Sequence, residues 1–425
     1  MTIFRHKRSV GSEEAEQINC ARSNSLFKEY EARPGIFKLA EGPFISYQRT
    51  VDIDMQASDF EVTETFSYKI SAPFWHYLLH FPMKRALKNS NSSKNFNIWW
   101  APPNRFDALT SRTVSLLCVA AIVTGFLGAL IGQTATFAAE EFGAGDRAQG
   151  ILLATVRIGV LLTVFITALA DNRGRKKLLE FSLYGGCCLA VLSAVAPNLW
   201  ALGITQSFAR GFATSISILI GIMAAEAAPK GSRAYIAGLL TLSAGLGAGI
   251  PVWILFLADL HLKGWRLLFA TALIFFPVIR WIHLHLEESK RFINHIENHK
   301  FNNGRKQKVI VKRVLFLASV AFLLFLFVSP ASQFRNEFLR DERDFSAAKI
   351  SLFLLTAYTP QIIGVAIASK VSDLKGRKPV AMIAVGIGTI LTVGSYSITG
   401  FGMWLITMSA GLISAGAGPS LGVSS

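Results

Sequence analysis

Two arginines stand inside long apolar stretches of the sequence, where a charge is costly. Arg157 lies near the middle of stretch 148–170, and Arg210 lies in stretch 199–227. Charged side chains at membrane depth default to sites that bind a ligand or an ion. Because a guanidinium pairs best with carboxylates and phosphates, the two residues predict a site for an anionic solute. A structural pair, or snorkelling of the side chain to the membrane surface, is the alternative for each.

Polar side chains elsewhere in the apolar stretches are candidates for the walls of the same site. The candidates are Gln133, Thr134, Gln206, Glu226 and Gln333. Hydrogen bonding between neighbouring helices explains such residues about as often as contact with a solute does. Both interpretations therefore stay open for each of them.

Other chemistry finds no support in the sequence. No cluster of His, Cys, Asp or Glu has the spacing of metal ligands, and no glycine-rich phosphate loop follows a predicted strand. His283 and His285 are two positions apart, so they do not share a helix face. The sequence predicts no metal, no cofactor and no enzymatic activity.

Composition indicates a membrane protein. Hydrophobic residues make up 52% of the chain and charged residues 16%, against about a quarter charged in soluble proteins. The net charge of +16 is uneven, because residues 1–110 carry 14 Lys and Arg against 12 Asp and Glu. The basic excess therefore belongs to the apolar part of the chain. It is typical of loops on the inner side of a membrane, and it argues against a nucleic-acid partner.

Apolar stretches long enough to cross a bilayer begin at residue 113. A spanning helix needs about 20 apolar residues. The ten predicted spans are 113–138, 148–170, 178–196, 199–227, 234–258, 265–286, 313–334, 349–370, 379–399 and 402–424. The sequence predicts an all-α polytopic protein with a lipid bilayer as its partner.

The charges of the loops between the predicted spans predict how the protein is oriented in the membrane. The loops rich in Lys and Arg fall on one side, at 171–177, 228–233, 287–312 and 371–378. The opposite loops are mainly acidic, so the basic side is predicted to be cytoplasmic. The N-terminus has no apolar core of signal-peptide length and is predicted to lie inside as well. We expect a multi-pass protein of the plasma membrane.

Residues 1–110 are predicted to form a small cytosolic α+β domain with a linker. Apolar and polar residues alternate from Phe60 to Ile70, a pattern typical of a half-buried strand, and a second strand is predicted around 44–51. Segment 73–87 predicts an aromatic-rich helix that is interrupted near Pro82.

Two interpretations of the helix in 73–87 compete. The first makes it the core helix of the small domain, and this is the one we favour. The second lays it on the membrane surface, with Phe74, Trp75 and Tyr77 at the interface and with Lys84 and Arg85 near anionic headgroups.

A short motif occurs twice. Segments 167–177 and 369–379 both read small-x-x-x-Asp-x-(Lys/Arg)-Gly-Arg-Lys, and each follows one apolar span and precedes another. Six predicted spans separate the copies. Because many transporters are built from duplicated halves, two copies in register indicate an internal repeat. A long basic loop at 287–312 separates the halves.

On these residues the sequence resembles the major facilitator superfamily, whose signature loop joins helices two and three and recurs between helices eight and nine. The matching residues are Asp171, Arg173, Gly174, Arg175 and Lys176, then Asp373, Lys375, Gly376, Arg377 and Lys378. The chain departs from the family with Thr167 and Ser369 where Gly is usual, and with Asn172 and Leu374 where Arg is usual. Looser matches to the sugar and organic-acid branch occur at 226–233, 265–266 and 287–292.

The resemblance implies a two-bundle fold with about ten of twelve helices present, so that the chain is a C-terminally truncated form of a longer transporter. The expected divisions are an N-terminal domain and linker at 1–110, a six-helix bundle at 111–286, a central loop at 287–312 and a partial second bundle at 313–425. The two motif copies are expected to act as a conformational latch. A carboxylate at the end of one helix would face the positive N-terminus of another in one conformation only. Basic loops that merely hold orientation are the alternative.

The predicted function is secondary active transport of a small polar metabolite by alternating access, with proton coupling. An organic anion or a sugar is the expected substrate. Some proton-coupled sugar carriers have an acid in span one, whereas this chain has none before Glu140, which moves the coupling acid to Glu226 or Asp171. A uniporter, a drug exporter and a membrane-anchored sensor whose N-terminal domain binds the ligand are the alternatives.

Overall fold

The computed structural model describes residues 2–55, 60–89, 98, 100–259, 261–288, 338–345 and 347–417, with isolated positions between 315 and 335. It divides into two compact units, 1–292 and 293–425. The first unit holds a small sheet domain and a helical bundle, and the second holds further helices. Each unit is treated by itself.

The sheet domain is a five-stranded antiparallel sheet with two helices on one face. Its elements are β1 (Thr2–Val10), α1 (Ser12–Ile18), β2 (Lys28–Arg33), β3 (Ile36–Glu41), β4 (Phe44–Met55), β5 (Phe60–Ile70) and α2 (His76–Asn89). The strand order is β1-β5-β4-β3-β2. Strands β4 and β5 include both segments that the sequence predicts as strands.

Alternation along β5 sorts its side chains between a buried and a polar face. Val62, Glu64, Phe66 and Tyr68 are buried, and the residues that alternate with them are half-buried or exposed. Met83 and Leu87 of α2 pack in one cluster with Phe66 and Tyr68. Period two therefore predicts the sheet face correctly, because successive strand residues point to opposite sides.

Helix α2 is continuous from His76 to Asn89 and contains Pro82, so the predicted interruption is wrong. A proline lacks one backbone donor, which would otherwise bond the carbonyl four residues earlier. That residue is Leu78, whose side chain is exposed, so the carbonyl that loses its donor lies at the surface of the domain. One face of α2 is the core face that the favoured interpretation predicts.

The first bundle follows a short connection from the sheet domain. Its helices are α3 (Ala108–Glu141), α4 (Asp146–Ile158), α5 (Leu162–Arg173), α6 (Arg175–Ala194), α7 (Leu199–Ala227), α8 (Arg233–Trp253), α9 (Phe256–Asp259), α10 (Trp265–Ala270) and α11 (Phe275–His285). Single 3-10 turns join α4 to α5 and α10 to α11. Together they form six helices that are long and apolar enough to cross a membrane. The six helices lie at the positions of the first six predicted spans.

Helix α3 is the most buried of these spans. It crosses α8 closely, because a Cβ added at Gly247 would lie 1.9 Å from the Ile122 carbonyl oxygen. Small residues let two backbones approach in this way. The first bundle is therefore packed around its first helix, α3.

The connection between sheet domain and bundle is hydrogen-bonded on both sides. The Asn104 backbone amide donates to Ser232 Oγ at 3.0 Å. The Tyr235 hydroxyl donates to the carbonyl of Trp100 at 2.7 Å. Arg105 Nε donates to the carbonyl of Asn24 at 2.7 Å. The sheet domain is therefore fastened to the end of the bundle where α7 passes into α8.

In the second unit the described helices are α12 (Ala347–Lys375), α13 (Arg377–Ser397) and α14 (Gly400–Ser414), after a short π-helix at Phe338–Glu342. Helices α12 and α13 contain two further spans, and α14 is a shorter apolar helix. Predicted span 313–334 lies mostly outside the described residues, as does the end of span 402–424.

Candidate functional site

A single residue separates α5 from α6. Gly174 has φ +100° and ψ 139°, a backbone region that residues with a side chain rarely enter. Arg173 ends α5 and Arg175 begins α6. Glycine therefore allows two helices to turn sharply, with basic side chains on both sides of the turn.

Acidic side chains from two other helix ends meet the start of α6. The Arg175 guanidinium forms an ion pair with Glu226, near the end of α7. The Glu288 carboxylate, which follows α11, accepts the Lys176 backbone amide at 3.1 and 3.2 Å. A carboxylate at a helix N-terminus is stabilised by the exposed amides and the helix dipole. We call this group of loops and ion pairs the basic end of the first bundle.

The basic end extends along α6 to the last turn of α11. Lys176 Nζ lies 3.8 Å from Glu180 Oε1, and Glu180 Oε2 lies 2.8 Å from His283 Nδ1. These ion pairs and hydrogen bonds thus link α6 with α7, with α11 and with Glu288 in the segment after α11. Glu180, His283 and Glu288 were not predicted as site residues. Glu288 could have been predicted from two features of the sequence. These are the basic Arg-Lys-Lys run at the start of α6 and the Glu-Glu pair after another span.

Asp171 lies in the last turn of α5, and its side chain is outside the description. The second copy of the motif has the same backbone form as the first. Gly376 stands between α12 and α13 with φ +98° and ψ 151°. Lys375 ends α12, Arg377 begins α13 and Asp373 lies half-buried in the last turn before them. Lys378 is exposed. The sequence repeat is therefore also a repeat of backbone conformation.

The two predicted arginines lie close together in the first bundle. Arg210 is half-buried, and its Nη1 donates to the Gly128 carbonyl of α3 at 2.9 Å. Arg157 is exposed, and its charge is near enough to act on that of Arg210. Helices α3, α4 and α7 therefore bring two positive charges to one part of the bundle.

Two of the other polar candidates, Gln206 and Thr134, are buried and make hydrogen bonds within the first bundle. Gln206 is 2% exposed and its Nε2 donates to Ser193 Oγ at 2.8 Å, a contact between α7 and α6. Thr134 is fully buried and donates to the Leu130 carbonyl of its own helix. Gln133 is half-buried. Gln333 lies outside the described residues.

A second polar cluster lies at the opposite end of the first bundle. Glu141 accepts from Trp265 Nε1 at 2.6 Å and from Arg266 at 2.9 and 3.0 Å. Arg266 also donates to the carbonyl of Ala194, at the end of α6. The ends of α3, α6 and α10 are joined there. An acid directly after one apolar stretch and an arginine directly before another are the signal for this pair.

Arg335 is a charged residue in the second unit that was not predicted as a candidate. It is 4% exposed, donates to Ser395 Oγ at 3.1 Å and lies over the ring of Tyr396. Among the residues that the structure describes, no group of three or more His, Cys, Asp or Glu side chains could hold a metal ion.

Helices long enough to span a membrane, a motif turn repeated in both units and arginines inside apolar helices define a polytopic membrane transporter. The chain belongs to the Major Facilitator Superfamily, because the model of that family matches residues 117–424. This match confirms the family that the two motif copies predict. No curated protein matches the chain by sequence.

Solved structures show the same fold. A double-tryptophan mutant of XylE is similar with 16% identity and a TM-score of 0.59, over 73% of this chain and 80% of that one. XylE from E. coli in a partially occluded inward-open conformation has 17% identity and a TM-score of 0.57, over 75% and 84%. The human organic anion transporter MFSD10 has 12% identity and a TM-score of 0.54, over 74% and 85%.

Proposed function

We propose that the chain is a secondary active transporter that moves an organic anion or a sugar by alternating access, coupled to protons, with the organic anion favoured. The observation that carries the choice of substrate is the pair of guanidiniums of Arg157 and Arg210. Arg210 donates one hydrogen bond to a backbone carbonyl. That contact does not neutralise the positive charge of the guanidinium. A carboxylate between the two arginines would relieve their repulsion.

The solved relatives support both substrate classes. MFSD10 is described as an organic anion transporter, and XylE as a proton:xylose symporter. A sugar needs neutral hydrogen-bonding partners, whereas an anion benefits from fixed positive charge. The two arginines therefore favour the anion.

The basic end is proposed as the latch that opens and closes during the cycle. Its pairs are partly exposed, with side-chain exposures of 17% for Arg175 and 12% for Glu226. Ion pairs at an open surface contribute about 0–1 kcal/mol each, and a pair at this intermediate depth costs less to break than a fully buried one, so a conformational change can break it. Bundles that rock about a central site would make and break such contacts once per cycle.

Glu226 is the proposed coupling acid. It is the acid that contacts the motif residue Arg175, so its surroundings change directly when the basic end opens. The proposed orientation places this end and the N-terminus in the cytoplasm, and the protein in the plasma membrane.

The test is uptake by the full-length protein in liposomes, with an imposed proton gradient and a panel of labelled organic acids, sugars and cationic drugs. Gradient-dependent uptake of an organic acid is expected. It should be lost in Arg210→Ala and kept in Arg280→Ala, a matched change at an exposed arginine of α11.

Other outcomes would support a different function. Export of cationic drugs with no uptake of acids or sugars would identify a drug exporter. Absence of flux for every compound, together with a ligand bound to residues 1–110, would favour the sensor. The fastening of the sheet domain to the bundle through Asn104 and Tyr235 gives such a sensor a route to the membrane helices.

A further inference from the structure

Four large apolar side chains are exposed on one side of the sheet domain. Phe74 is 46% exposed, Tyr77 81%, Leu78 70% and Phe81 72%. The spacing of Tyr77, Leu78 and Phe81 places these three on one face of α2, and Phe74 lies in the turn before it. We call this the apolar face of α2. Contiguous exposed apolar side chains commonly mark a site of interaction with a protein or a membrane.

The opposite face of α2 already holds the helix to its own domain. Met83, Ala86 and Leu87 are buried in the core of the sheet domain. The carbonyl of Leu87 also accepts from Arg22 Nη1 at 3.1 Å. The fold of the domain therefore does not require the apolar face, and that face is available to a partner.

The turn before α2 touches two membrane spans. Trp75 Nε1 donates to the Ser115 carbonyl at 3.2 Å, and Ser115 Oγ donates to the Pro73 carbonyl at 2.7 Å. The ring of Phe74 packs edge-on against Trp281, with centroids 4.3 Å apart. Trp281 lies four residues before the end of α11, or about 6 Å at the helical rise of 1.5 Å per residue. The start of α2 is therefore level with the ends of the spans, where tryptophan marks the membrane interface.

The backbone at Phe74 supports this placement. Phe74 has φ +64°, a left-handed conformation that is unfavourable for a bulky residue and persists where surrounding contacts impose it. Here the conformation brings the ring of Phe74 against Trp281. The contact between α2 and the spans is thus built into the turn.

Basic residues continue the same face over the last two turns of α2. Lys84, Arg85 and Lys88 are exposed, and the helical repeat places them in line with Tyr77 and Phe81. Lys84 also lies over the ring of Phe4, 5.3 Å from its centroid. An apolar first half and a basic second half fit a bilayer surface that contains anionic lipids.

We infer that α2 is an interfacial helix whose apolar face rests on the bilayer, with its basic end at anionic headgroups. A bilayer is the occupant because the face begins level with the ends of the spans and its charge is complementary to acidic lipids. The sheet domain is then held at two places, by the bundle and by the membrane. This inference does not depend on the substrate or on proton coupling.

The test measures how deeply labelled positions lie in lipid. Spin labels are placed at Leu78→Cys and, as a matched control, at Ile45→Cys, which is 59% exposed on another part of the same domain. The exposed Cys20 and Cys188 are first replaced by Ser. The full-length protein is placed in nanodiscs that contain phosphatidylserine, and collisions with oxygen and with an aqueous nickel chelate are compared.

The label at position 78 is expected to collide with oxygen and to be shielded from nickel, while the label at position 45 is open to nickel. Equal nickel access at both positions would overturn the inference. Shielding at position 78 that rises with protein concentration in lipid-free detergent would also overturn it, because a second copy would then cover the face.

A charge reversal tests the lipid class. Arg85→Glu should weaken the shielding at position 78 in phosphatidylserine nanodiscs, by about fivefold in the docking equilibrium for each basic charge lost. Little change is expected in purely zwitterionic lipid. Arg5→Glu, at an exposed arginine of β1, is the control and should leave the shielding unchanged. Equal effects of the two changes would contradict a headgroup contact.

Discussion

The sheet domain and the basic end of the first bundle both pair arginine with glutamate, but at different depths. In the sheet domain Arg49 lies 2.6 Å from Glu29, and both side chains are completely buried. Arg22 lies 2.5 Å from Glu64, with exposures of 1% and 0%. At the basic end the side chains of the Arg175 pair remain partly exposed. The same residue types therefore serve a permanent network in one region and a breakable contact in the other.

Burial changes the proton affinity of the sheet-domain network. Burial raises the pKa of Tyr47 well above its usual range, and the Glu29 carboxylate adds to that shift. Burial and the neighbouring Arg49 lower the pKa of Arg22. For Arg49 burial acts in the lowering direction, but the hydrogen bonds to Glu29 together with the negative charges of Glu29 and Glu64 outweigh it, so the pKa is raised. Each charge depends on its partner, so the network is expected to stay closed throughout a transport cycle.

The largest effect is expected from breaking the buried network. Glu64 contacts Arg8, Arg22 and Arg49, so Glu64→Gln should lower the free energy of unfolding of the sheet domain by about 3–5 kcal/mol. Glu61→Gln, which breaks the more exposed pair with Lys7, should cost about 1 kcal/mol or less. Thermal unfolding of the two variants in detergent measures the contrast. Equal losses would mean that depth does not separate the two kinds of pair.

The next effect concerns the repeated turn. Gly174→Ala and Gly376→Ala each force a side chain into a backbone region that costs about 1–3 kcal/mol. Both variants should lower the uptake rate and the midpoint of thermal unfolding to similar extents. Gly221→Ala is the control, because a Cβ there meets open space within α7. A strong effect at one turn and none at the other would show that the two halves are not equivalent.

A smaller change in stability is expected at the ion pair of the basic end. Glu226→Gln should lower the free energy of unfolding by less than Glu64→Gln does, because the pair keeps some exposure to water. Its effect should fall on transport, with an uptake rate changed by about fivefold or more. Glu140→Gln, at an exposed acid at the other end of the bundle, should change neither quantity. A loss of stability as large as that of Glu64→Gln would contradict a breakable contact.

The smallest effect is a pH dependence beside the buried network. Burial, followed by the positive charges of Lys88 and Arg8, lowers the pKa of His6 from its ordinary value of 6.5, and Glu64 opposes the shift in part. The folded state therefore favours neutral His6. Its contribution to stability is complete above pH 6.5 and is lost as the pH falls from there through the lowered pKa. The protection factors of the β1 amides, which correct the exchange rate for its intrinsic pH dependence, should fall over that range, and His6→Gln should reduce the fall.

Local sequence patterns predict those parts of the molecule that depend on neighbouring residues. Alternation predicts β5, apolar length predicts the six spans of the first bundle, and the repeated motif predicts the loop between two spans at Gly174. The ion pairs follow from contacts between distant residues, so Arg49 with Glu29 and Arg175 with Glu226 could not be read from spacing. Glu226 was a candidate for its acidity alone, and Arg175 for its motif.

The two interpretations of segment 73–87 show the same limit. A helix with a buried face on Met83 and Leu87 satisfies the core interpretation. The exposed Tyr77 and Phe81 belong to the other one. From the sequence the two interpretations were alternatives. Sequence patterns do not show that a helix at the edge of a small domain also lies beside the ends of membrane spans.

Uptake by the full-length protein with the charges of the basic end exchanged tests the central claim most directly. Arg175→Glu and Glu226→Arg, each alone, place like charges opposite each other and should slow gradient-driven uptake by about fivefold or more. The double variant restores an attractive pair and is predicted to recover most of the rate. A double variant as slow as either single one, or single variants as fast as the unaltered protein, would contradict a latch at this pair.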